Sequence, residues 1–554
     1  MEAQFFRHQT LHTFVSVFHL IPVSYLSSFK TPDPTHDNSI YRIVHLRLSS
    51  ILCVYLHFHL LFLTSLWVVK NPSFLFNKTR PSRTRGPSRP VKGGLLQQLH
   101  NHQHHEPPAT PKLTPRKTIL AIFLALLGLS LLHRPVSNRY GGVPRYGNGL
   151  RTPEERARHI LTTTPLIDGH VDFPMLIRYF YGNRIYDENF TQPFLQGDLP
   201  GHVDLHRLRQ GQSGGAFWSL FAPCPENGSD FSNENYASSV QFTLDQIDVM
   251  TRLQAAYPEH FSQKVDSSNA FEAFRQGKLI SPLGIEGLHQ IGNSAANLRR
   301  FHELGVRYAT LTHNCHNKFA DAAILENPTR KAEPLWGGVS PLGRRLIHEM
   351  NRIGMIVDIS HVSEDTMLDV LGNGDDWDGS EAPVIFSHSS AWSICPHPRN
   401  VKDNVLELVK KRNSLVMVNI APDFISCVES DNPNGLPDFF PQNSTIEHAA
   451  QHIFYIGNLI GFDHVGIGTD FDGIPSVPRG LEDVTKYPDL IAELLKLGVS
   501  NVDAAKVVGG NLLRVWREVD EVAARLQSKG ELPLEDVLPE LRFSDVLEAS
   551  FETV

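Results

Sequence analysis

The sequence predicts an α/β fold for residues 151–554, a (β/α)8 TIM-like barrel in which eight parallel strands alternate with helices. Eight short apolar runs recur along this region, and most of them are separated by segments with the 3.6-residue periodicity of amphipathic helices. The number of runs is that of a closed parallel barrel. A doubly wound sheet is the alternative, but no G-x-G-x-x-G turn follows the first run, so the sequence does not indicate a dinucleotide site.

Each predicted strand is a run of about four to eight mainly apolar residues followed by polar or turn-forming residues. In chain order the runs are PLIDGHVD, GAFWSLFAPC, LISPLGIEG, VRYATLTHN, GMIVDISHV, APVIFSHSS, SLVMVNIAP and HVGIGTDFDG. Helical patterns such as NLRRFHELG and GRRLIHEMNRIG lie between them, and residues 502–527 form a longer amphipathic pattern after the last run. This terminal helical segment is expected to pack on the barrel wall.

The charge of the chain is unevenly distributed. Residues 1–150 carry 17 Lys and Arg against 4 Asp and Glu, and the whole chain has a net charge of −8, so the remaining residues carry −21. An acidic body of this kind argues against a nucleic-acid-binding enzyme, so we expect no nucleic-acid partner. Residues 1–150, the basic head, therefore differ from the acidic body in the sign of their net charge.

The first 117 residues are expected to form a basic, largely disordered extension. Residues 71–115 are rich in Pro, Arg, Ser and His, which is typical of a disordered tether. The apolar stretch 46–69 is long enough to span a bilayer, although it contains an arginine and two histidines. The stretch 118–134 is shorter but more uniformly apolar, and it is predicted to be a transmembrane or signal-anchor helix.

The residues around the second apolar stretch predict the compartment of the body. The basic flank at residues 112–117 favours a cytoplasmic N-terminal side, which gives a single-pass membrane protein with residues 151–554 outside the cytoplasm. A cleaved signal peptide and a secreted protein are the alternative. Sequons at Asn189, Asn227 and Asn443 also favour a secretory compartment and a glycoprotein.

Five cysteines occur in the chain. They are Cys53, Cys224, Cys315, Cys395 and Cys427. No C-x-x-C pair is present, so the sequence indicates neither a zinc ribbon nor a thioredoxin-like motif. Four of the cysteines lie in the acidic body, an even number that permits two disulfides.

Five residues with metal-ligating side chains lie at the ends of four predicted strands. They are His170 and Asp172 on the first run, Glu286 on the third, His361 on the fifth and His388 on the sixth. The parallel strands of a barrel end at one mouth, so these side chains are expected to converge. Imidazole and carboxylate suit zinc, and one carboxylate can bridge two metals. Each residue alone is more often an ordinary polar or core residue, but together they predict two Zn²⁺ per chain, with Glu286 shared between the first pair and the two later histidines.

Three further positions are candidates for substrate chemistry. Asp470 ends the eighth run and can take a proton from a bridging hydroxide and pass it to a leaving amine. Asp472 lies two residues on with the same strand parity, so spacing alone does not choose between them. His313 closes the fourth run and can donate a hydrogen bond to a developing oxyanion. Arg399 can clamp a substrate carboxylate with two hydrogen bonds, although taken alone it is more typical of a surface salt bridge.

At these residues the chain resembles the membrane dipeptidase (renal dipeptidase) family, zinc metallopeptidases of the M19 type with an amidohydrolase-like barrel. The blocks that carry the resemblance are IDGHVDFP, GGAFWSLFAPC, GIEGLHQIG, YATLTHNC, DISHVS, APVIFSHSSAWSICPHPRNVKD and GIGTDFDGIPSVPRGLEDVTKYPDL. The resemblance implies the zinc ligands given above with Glu286 as the bridge. It also implies that His313 and Arg399 bind substrate and that Asp470 is the acid/base group.

The resemblance further implies the covalent organisation of the body. The family's disulfides would pair Cys224 with Cys315 and Cys395 with Cys427, which leaves Cys53 alone in the extension. No body cysteine then remains for a disulfide between subunits, and a non-covalent homodimer stays compatible with the sequence. Animal members of the family are held by a C-terminal glycolipid, and the ending FSDVLEASFETV does not fit such a signal, so the anchor is expected at the N-terminus.

The function expected from these observations is zinc-dependent hydrolysis of dipeptides, in which a hydroxide shared by two metals attacks the peptide carbonyl. The partners would be small peptide substrates. Two alternatives remain at this point. One is a related amidohydrolase that acts on another amide or a lactone, and the other is a catalytically silent barrel that only binds.

Overall fold

The computed structural model describes residues 151–374 and 377–538. The predicted apolar stretches 46–69 and 118–134 and the lone Cys53 lie outside these residues, so the membrane anchor stays a prediction. Among the described residues no helix is long and apolar enough to cross a bilayer. The three sequon asparagines are exposed, and their glycosylation also stays a prediction.

Eight parallel strands form the predicted barrel, and each overlaps one predicted apolar run; seven lie within their runs, and the second begins two residues before its run. Two short antiparallel hairpins, Ile324–Leu325 with Arg330–Lys331 and Cys427–Val428 with Asp438–Phe439, lie outside the barrel. In chain order the strands are β1 (Leu166–Val171), β2 (Ser213–Ser219), β3 (Leu283–Glu286), β4 (Val306–Thr310), β5 (Ile324–Leu325), β6 (Arg330–Lys331), β7 (Ile356–Asp358), β8 (Ile385–Phe386), β9 (Leu415–Val418), β10 (Cys427–Val428), β11 (Asp438–Phe439) and β12 (Val465–Ile467).

The barrel strands pair in the order β1-β2-β3-β4-β7-β8-β9-β12, which is chain order once the hairpins are set aside. The circle closes between the first and last strands. The backbone N–H of Asp470 donates to the carbonyl of His170 at 3.0 Å, and that of Asp172 donates to the carbonyl of Phe471 at 2.9 Å. These two bonds lie just beyond the ends of the strands, where the predicted site residues are.

The α-helices precede β1 or lie between and after the barrel strands. They are α1 (Pro153–Thr163), α2 (Phe173–Tyr181), α3 (Glu188–Gln196), α4 (Leu205–Gln210), α5 (Asn233–Ala256), α6 (Ala270–Arg275), α7 (Ala295–Leu304), α8 (Pro341–Ile353), α9 (Glu364–Val370), α10 (Asp403–Lys411), α11 (Pro422–Ile425), α12 (Ile446–Ile460), α13 (Tyr487–Lys496), α14 (Asn501–Ala505) and α15 (Asn511–Ser528).

Helix α8 shows why these segments are helical. The Ser340 hydroxyl caps its N-terminus by accepting from the Gly343 N–H at 3.0 Å, and Pro341 occupies the first helical position, where no N–H is needed. Leu346 and Met350, four residues apart, are both buried against the barrel. Gly354 ends the helix with φ 82°, a conformation that glycine adopts without strain.

Helix α15 packs against α8, β9 and β12, as the sequence predicts for a helix on the barrel wall, and it also reaches the barrel interior. Its Trp516 is fully buried, and the indole lies 5.3 Å from the ring of Phe217 on β2. Phe217 in turn lies 5.4 Å from Tyr308 on β4, and these rings share one apolar cluster with side chains from six of the barrel strands. The helix therefore contributes side chains to the barrel interior, and the interior packing continues from Trp516 to Tyr308, which contacts the site described next.

Candidate active site

Four side chains meet at the C-terminal ends of the barrel strands, His170 and Glu286 from β1 and β3 and His361 and His388 from the loops after β7 and β8. The Oε1 atom of Glu286 lies 3.5 Å from His170 Nε2, 2.9 Å from His361 Nε2 and 3.4 Å from His388 Nε2. The Nε2 atoms of His361 and His388 are 2.9 Å apart. All four residues are buried, with at most 4% of their surface exposed. The sequence prediction that these residues converge on one carboxylate therefore agrees with the geometry.

Asp172 joins the cluster from the end of the first predicted run. Its Oδ2 atom lies 3.1 Å from His170 Nε2, and its Oδ1 atom is buried with no hydrogen-bond partner. Among the groups of potential ligand atoms in the described residues, two triads share Glu286, and another joins His170, His388 and Asp470. The first triad adds His170 and Asp172, and the second adds His361 and His388, which is the partition the sequence predicts for two metals.

The histidines of the later strands follow the strand ends instead of closing the strands. His361 lies three residues after β7, and His388 lies two residues after β8. The backbone of His361 has φ 65°, which is uncommon for a residue with a side chain and is typical of functional sites. The sequence predicts histidines at strand ends, and the structure shows that short loops aim them at Glu286.

A second hydrogen bond orients each imidazole. His361 Nδ1 lies 2.9 Å from the amide oxygen of Asn314, and His388 Nδ1 lies 2.8 Å from the hydroxyl of Ser387. His170 Nδ1 lies 2.8 Å from the Tyr308 hydroxyl. An amide oxygen can only accept, so His361 donates from Nδ1 and presents the lone pair of Nε2 to the cluster. Bonds of this kind fix the ring orientation and tautomer of metal-binding histidines.

The donor set fits a pair of divalent cations. Carboxylate oxygens and imidazole lone pairs face one another at about 3 Å in a site that water hardly reaches, and such an arrangement is stabilised by positive charge among them. The unpaired Oδ1 of Asp172 adds one more free ligand atom. Imidazole nitrogen and carboxylate oxygen together suit zinc, with manganese or cobalt as related ions.

Burial dominates the electrostatics of the cluster. It lowers the pKa of His361 and of His388 well below the ordinary histidine value, so both rings are neutral at physiological pH, as metal ligation requires. Burial likewise raises the pKa of Glu286. For His170 burial opposes protonation, but the neighbouring Glu286 and Asp172 outweigh it and raise its pKa well above the ordinary range. The carboxylates therefore attract a cation at this ring.

The structure separates the two aspartates that spacing left equivalent. Asp470 Oδ1 lies 3.9 Å from His170 Nε2, and its Oδ2 accepts a hydrogen bond from Asn419 at 3.1 Å. Asp472 instead accepts from the backbone N–H of His202 at 2.6 Å. Both residues have positive φ, 68° and 67°, so the chain is not extended here and strand parity does not apply. Asp470 is the carboxylate that faces the cluster.

His313 lies at the edge of the cluster. Its ring is 4.4 Å from the ring of His361 and 4.9 Å from that of Phe221. Its Nδ1 atom lies 3.7 Å from the sulfur of Cys224, which forms the implied disulfide with Cys315. Burial lowers the pKa of His313 well below its usual value, so the neutral ring can act as a hydrogen-bond donor without carrying charge.

Arg399 approaches the cluster from the loop after β8. The residue is 2% exposed, its Nη2 donates to the carbonyl of His388 at 3.4 Å, and its Nε has no partner. Burial lowers its pKa to about 10, so it stays charged at neutral pH. A buried guanidinium with donors still free is suited to binding an anionic group of a substrate.

The Arg399 loop is tied to its neighbours by a disulfide and by buried polar groups. Cys395 pairs with Cys427, as the resemblance implies. The ring of His452 on α12 bridges the same loops, because its Nδ1 accepts from the Ala391 N–H at 3.0 Å and its Nε2 donates to the Ile425 carbonyl at 2.9 Å. One acceptor and one donor on the same ring require a neutral imidazole.

Acid should therefore destabilise the fold through His452. Burial lowers its pKa to about 3, whereas an unfolded chain protonates histidine near 6.5. Between these values the unfolded state binds the extra proton, so the free energy of unfolding falls as pH falls, by about 1.4 kcal/mol per pH unit for one group. We expect His452→Gln to be less stable at pH 7 but to show a shallower pH dependence between pH 6.5 and 4, measured by chemical unfolding of metal-free protein. Identical slopes for variant and wild type would contradict this role.

Several residues that organise the site escape prediction from the sequence. Tyr308, Asn314 and Ser387 contact the ligand histidines, but isolated polar residues in loops and strands carry no signal of a partner that is distant in the chain. Asp168 and Asp358 do carry a signal, because each is a charged residue inside an apolar run. Both are fully buried, and Asp168 accepts hydrogen bonds from Thr469, in the loop after β12, and from Tyr487 at the start of α13.

Comparison with known proteins gives a consistent result. The family model for membrane dipeptidase, peptidase family M19, matches residues 154–530. Dipeptidase tcpJ of Claviceps purpurea is 43% identical over 400 residues, which cover 72% of this chain and 87% of that protein. An uncharacterized dipeptidase of Schizosaccharomyces pombe is 42% identical over 435 residues, covering 77% of this chain and 96% of its own length.

Solved structures share the fold at lower sequence identity. The probable dipeptidase PvdM of Pseudomonas aeruginosa superposes with a TM-score of 0.57 at 21% identity, covering 67% of this chain and 99% of its own. A metallo peptidase of Rhodobacter sphaeroides, crystallised with a phosphinate mimic of L-Ala-D-Ala, has a TM-score of 0.53 at 24% identity, covering 64% of this chain and 99% of its own. These similarities support the barrel fold.

Proposed function

Because this chain belongs to the membrane dipeptidase family, peptidase family M19, we propose that it is a metallodipeptidase that hydrolyses dipeptides with two zinc ions. Dipeptidases more than 40% identical over most of the chain support the activity. The observation that carries the metal assignment is the position of Glu286, whose carboxylate is shared by both triads. In this proposal His170 and Asp172 bind one ion, and His361 and His388 bind the other.

The two ions, when bound, would acidify a water molecule and polarise the peptide carbonyl. The chain supplies the other requirements of the reaction. Burial and the neighbouring carboxylates of Asp172 and Glu286 raise the pKa of Asp470 to about 8, against the opposing charge of His170. That shift describes the metal-free site. Asp470 faces the cluster without belonging to either proposed ligand set, so its carboxylate is suited to carry a proton to the departing amine.

Two cluster-facing residues would hold the substrate. Arg399 carries a buried charge and free donors, which suit the C-terminal carboxylate of a dipeptide. His313, packed against His361, is placed to donate a hydrogen bond to the oxygen that gains negative charge. An anchoring cation this close to the reacting centre would limit substrates to very short peptides. It also favours a dipeptide over the lactone or uncharged amide of a related amidohydrolase.

Purified body loaded with zinc tests this function directly. We expect hydrolysis of Gly-D-Phe or a similar dipeptide and two metal equivalents per chain. Absence of turnover at full metal loading would overturn the proposal and favour the alternative of a silent binding barrel. Turnover of a lactone with none of a dipeptide would favour the related amidohydrolase instead.

Replacement of Arg399 separates substrate binding from chemistry. In Arg399→Met the side chain keeps most of its apolar packing but loses the charge, so KM for a dipeptide should rise by about 10- to 100-fold, the equivalent of a lost charged hydrogen bond of 1.5–3 kcal/mol. Steady-state kinetics with Gly-D-Phe and with its C-terminal amide provide the measurement. Wild type should strongly prefer the free acid, whereas the variant should lose this preference. An unchanged preference would contradict the assignment of the carboxylate to Arg399.

A further inference from the structure

Asp358 is a buried carboxylate at the end of β7, separated from the ligand cluster by one serine hydroxyl. It is fully excluded from solvent, and among the described residues no cationic side chain forms an ion pair with it. Its two oxygens have different partners. Oδ1 accepts from the backbone N–H groups of Ser360 at 3.1 Å and Ser387 at 2.8 Å, and Oδ2 accepts from the hydroxyls of Thr310 at 2.5 Å and Ser387 at 2.7 Å.

The Ser387 hydroxyl connects this carboxylate to a ligand histidine. Its oxygen lies 2.7 Å from Asp358 and 2.8 Å from His388 Nδ1. A hydroxyl has one proton, and the carboxylate can only accept, so Ser387 donates to Asp358. Towards His388 the hydroxyl is then an acceptor. His388 must therefore carry its proton on Nδ1, which leaves the lone pair of Nε2 directed at Glu286 and His361.

We propose that Asp358 and Ser387 are positioning residues that fix the tautomer and orientation of His388, and that they thereby set the metal affinity of the second triad. This inference deepens the proposed function and rests on it, because it assumes that Glu286, His361 and His388 bind a metal. Partners that orient a ligand histidine in this way are commonly worth about 10- to 100-fold in metal affinity.

The effect should be confined to one histidine. His361 is oriented by an amide oxygen of Asn314, and His170 is oriented by the hydroxyl of Tyr308. Neither of these hydrogen bonds passes through Ser387. Loss of the Asp358–Ser387 pair should therefore weaken one of two metal equivalents and leave the first triad, which contains His170, with its affinity.

The isosteric change Asp358→Asn provides the sharpest test. The two backbone N–H groups at Oδ1 cannot reverse, so the new amide must place its oxygen there. Its NH₂ group then takes the position of Oδ2 and donates to the hydroxyls of Thr310 and Ser387. The Ser387 proton is released from its former acceptor and points to His388 Nδ1, which at 2.8 Å is nearer than the Ser360 hydroxyl oxygen at 3.3 Å. This reversed chain puts the histidine proton on Nε2, where it blocks metal binding.

Ser387→Ala and Ser389→Ala form a matched pair of variants. Both serines are buried next to His388, one on each side in sequence. The Ser387 hydroxyl completes the link to Asp358, whereas the Ser389 hydroxyl has no hydrogen-bond partner. Ser387→Ala should lose affinity for one metal, and Ser389→Ala should behave like wild type. If Asp358→Asn does not fold, these two serine variants still test the proposal.

Two readouts on the full chain measure the inference. In metal-free protein labelled with ¹⁵N-histidine, NMR should show His388 protonated on Nδ1 in wild type and on Nε2 in Asp358→Asn. In zinc titrations against a competing chelator, Asp358→Asn and Ser387→Ala should bind the second equivalent about 10- to 100-fold more weakly than wild type, with the first unchanged. Wild-type tautomer and affinity in both variants would overturn the proposal, as would an equal loss in Ser389→Ala.

The outcomes also separate this inference from the proposed function. If wild type binds two zinc ions and cleaves dipeptides while the variants bind zinc equally well, only the role of Asp358 and Ser387 fails. If wild type binds no metal, the proposed function fails, yet the tautomer of His388 in metal-free protein still shows whether the hydrogen-bond chain acts as inferred.

Discussion

Replacing Glu286 by glutamine is expected to abolish dipeptide hydrolysis and to leave the protein with fewer than two bound metal ions. Its Oε1 atom lies within 3.5 Å of three imidazole nitrogens and is shared by both triads. Glutamine keeps the size of the side chain, but its amide oxygen has no formal charge and its nitrogen is not a ligand. Loss of the metals removes several kcal/mol of transition-state stabilisation, so kcat/KM should fall by about a thousandfold or more.

Metal analysis and steady-state kinetics on the same preparation measure this effect. Glu349→Gln is a suitable control. Glu349, on the outer helix α8, is also buried, but it pairs with Arg299 of α7 and Arg352 of α8. That variant should be less stable, since two arginines lose their partner, and yet keep two metal equivalents. A Glu286→Gln protein that retained two tightly bound ions and near-normal turnover would remove Glu286 from the centre of the mechanism.

Much of this centre is predictable from local sequence. Each of the eight apolar runs overlaps a barrel strand, because a strand buried on both faces must be apolar and polar residues follow it at the barrel mouth. The same rule does not require the pairing of the strands to be known. It predicts the convergence of His170, Glu286, His361 and His388. Residue type then predicts the metal, because three imidazoles and two carboxylates suit zinc.

What the sequence does not predict depends on loop geometry and on contacts between distant segments. The sequence expectation for Asp470 and Asp472 relies on an extended chain, whereas both have positive φ and their carboxylates reach different partners. The bond between Ser387 and Asp358 joins residues 29 positions apart, and only the packing of β7 beside β8 creates it. Helix α15 has a helical pattern in the sequence, but its place against Phe217 follows from tertiary packing.

The second large effect is expected from Asp470→Asn, which should lower kcat by about 10²- to 10⁴-fold while both metals stay bound. Asparagine tolerates the positive φ of this position as aspartate does, so the loop should keep its shape. The Asn419 amide donates to one oxygen of Asp470, so the new side chain should keep its oxygen there and turn its NH₂ towards His170. A group that cannot accept a proton then replaces the carboxylate that faces the cluster.

Asp472→Asn is the matched control, because both residues are αL aspartates whose carboxylates are almost fully buried, and each substitution removes one negative charge. Its Oδ1 accepts from His202, which the amide oxygen can continue to do, and its Oδ2 has no partner to lose. We therefore expect Asp472→Asn to keep kcat within about tenfold of wild type, since it removes no group that faces the cluster. Comparable losses of kcat in both variants would show that the net charge of the region, and not proton transfer at Asp470, controls the rate.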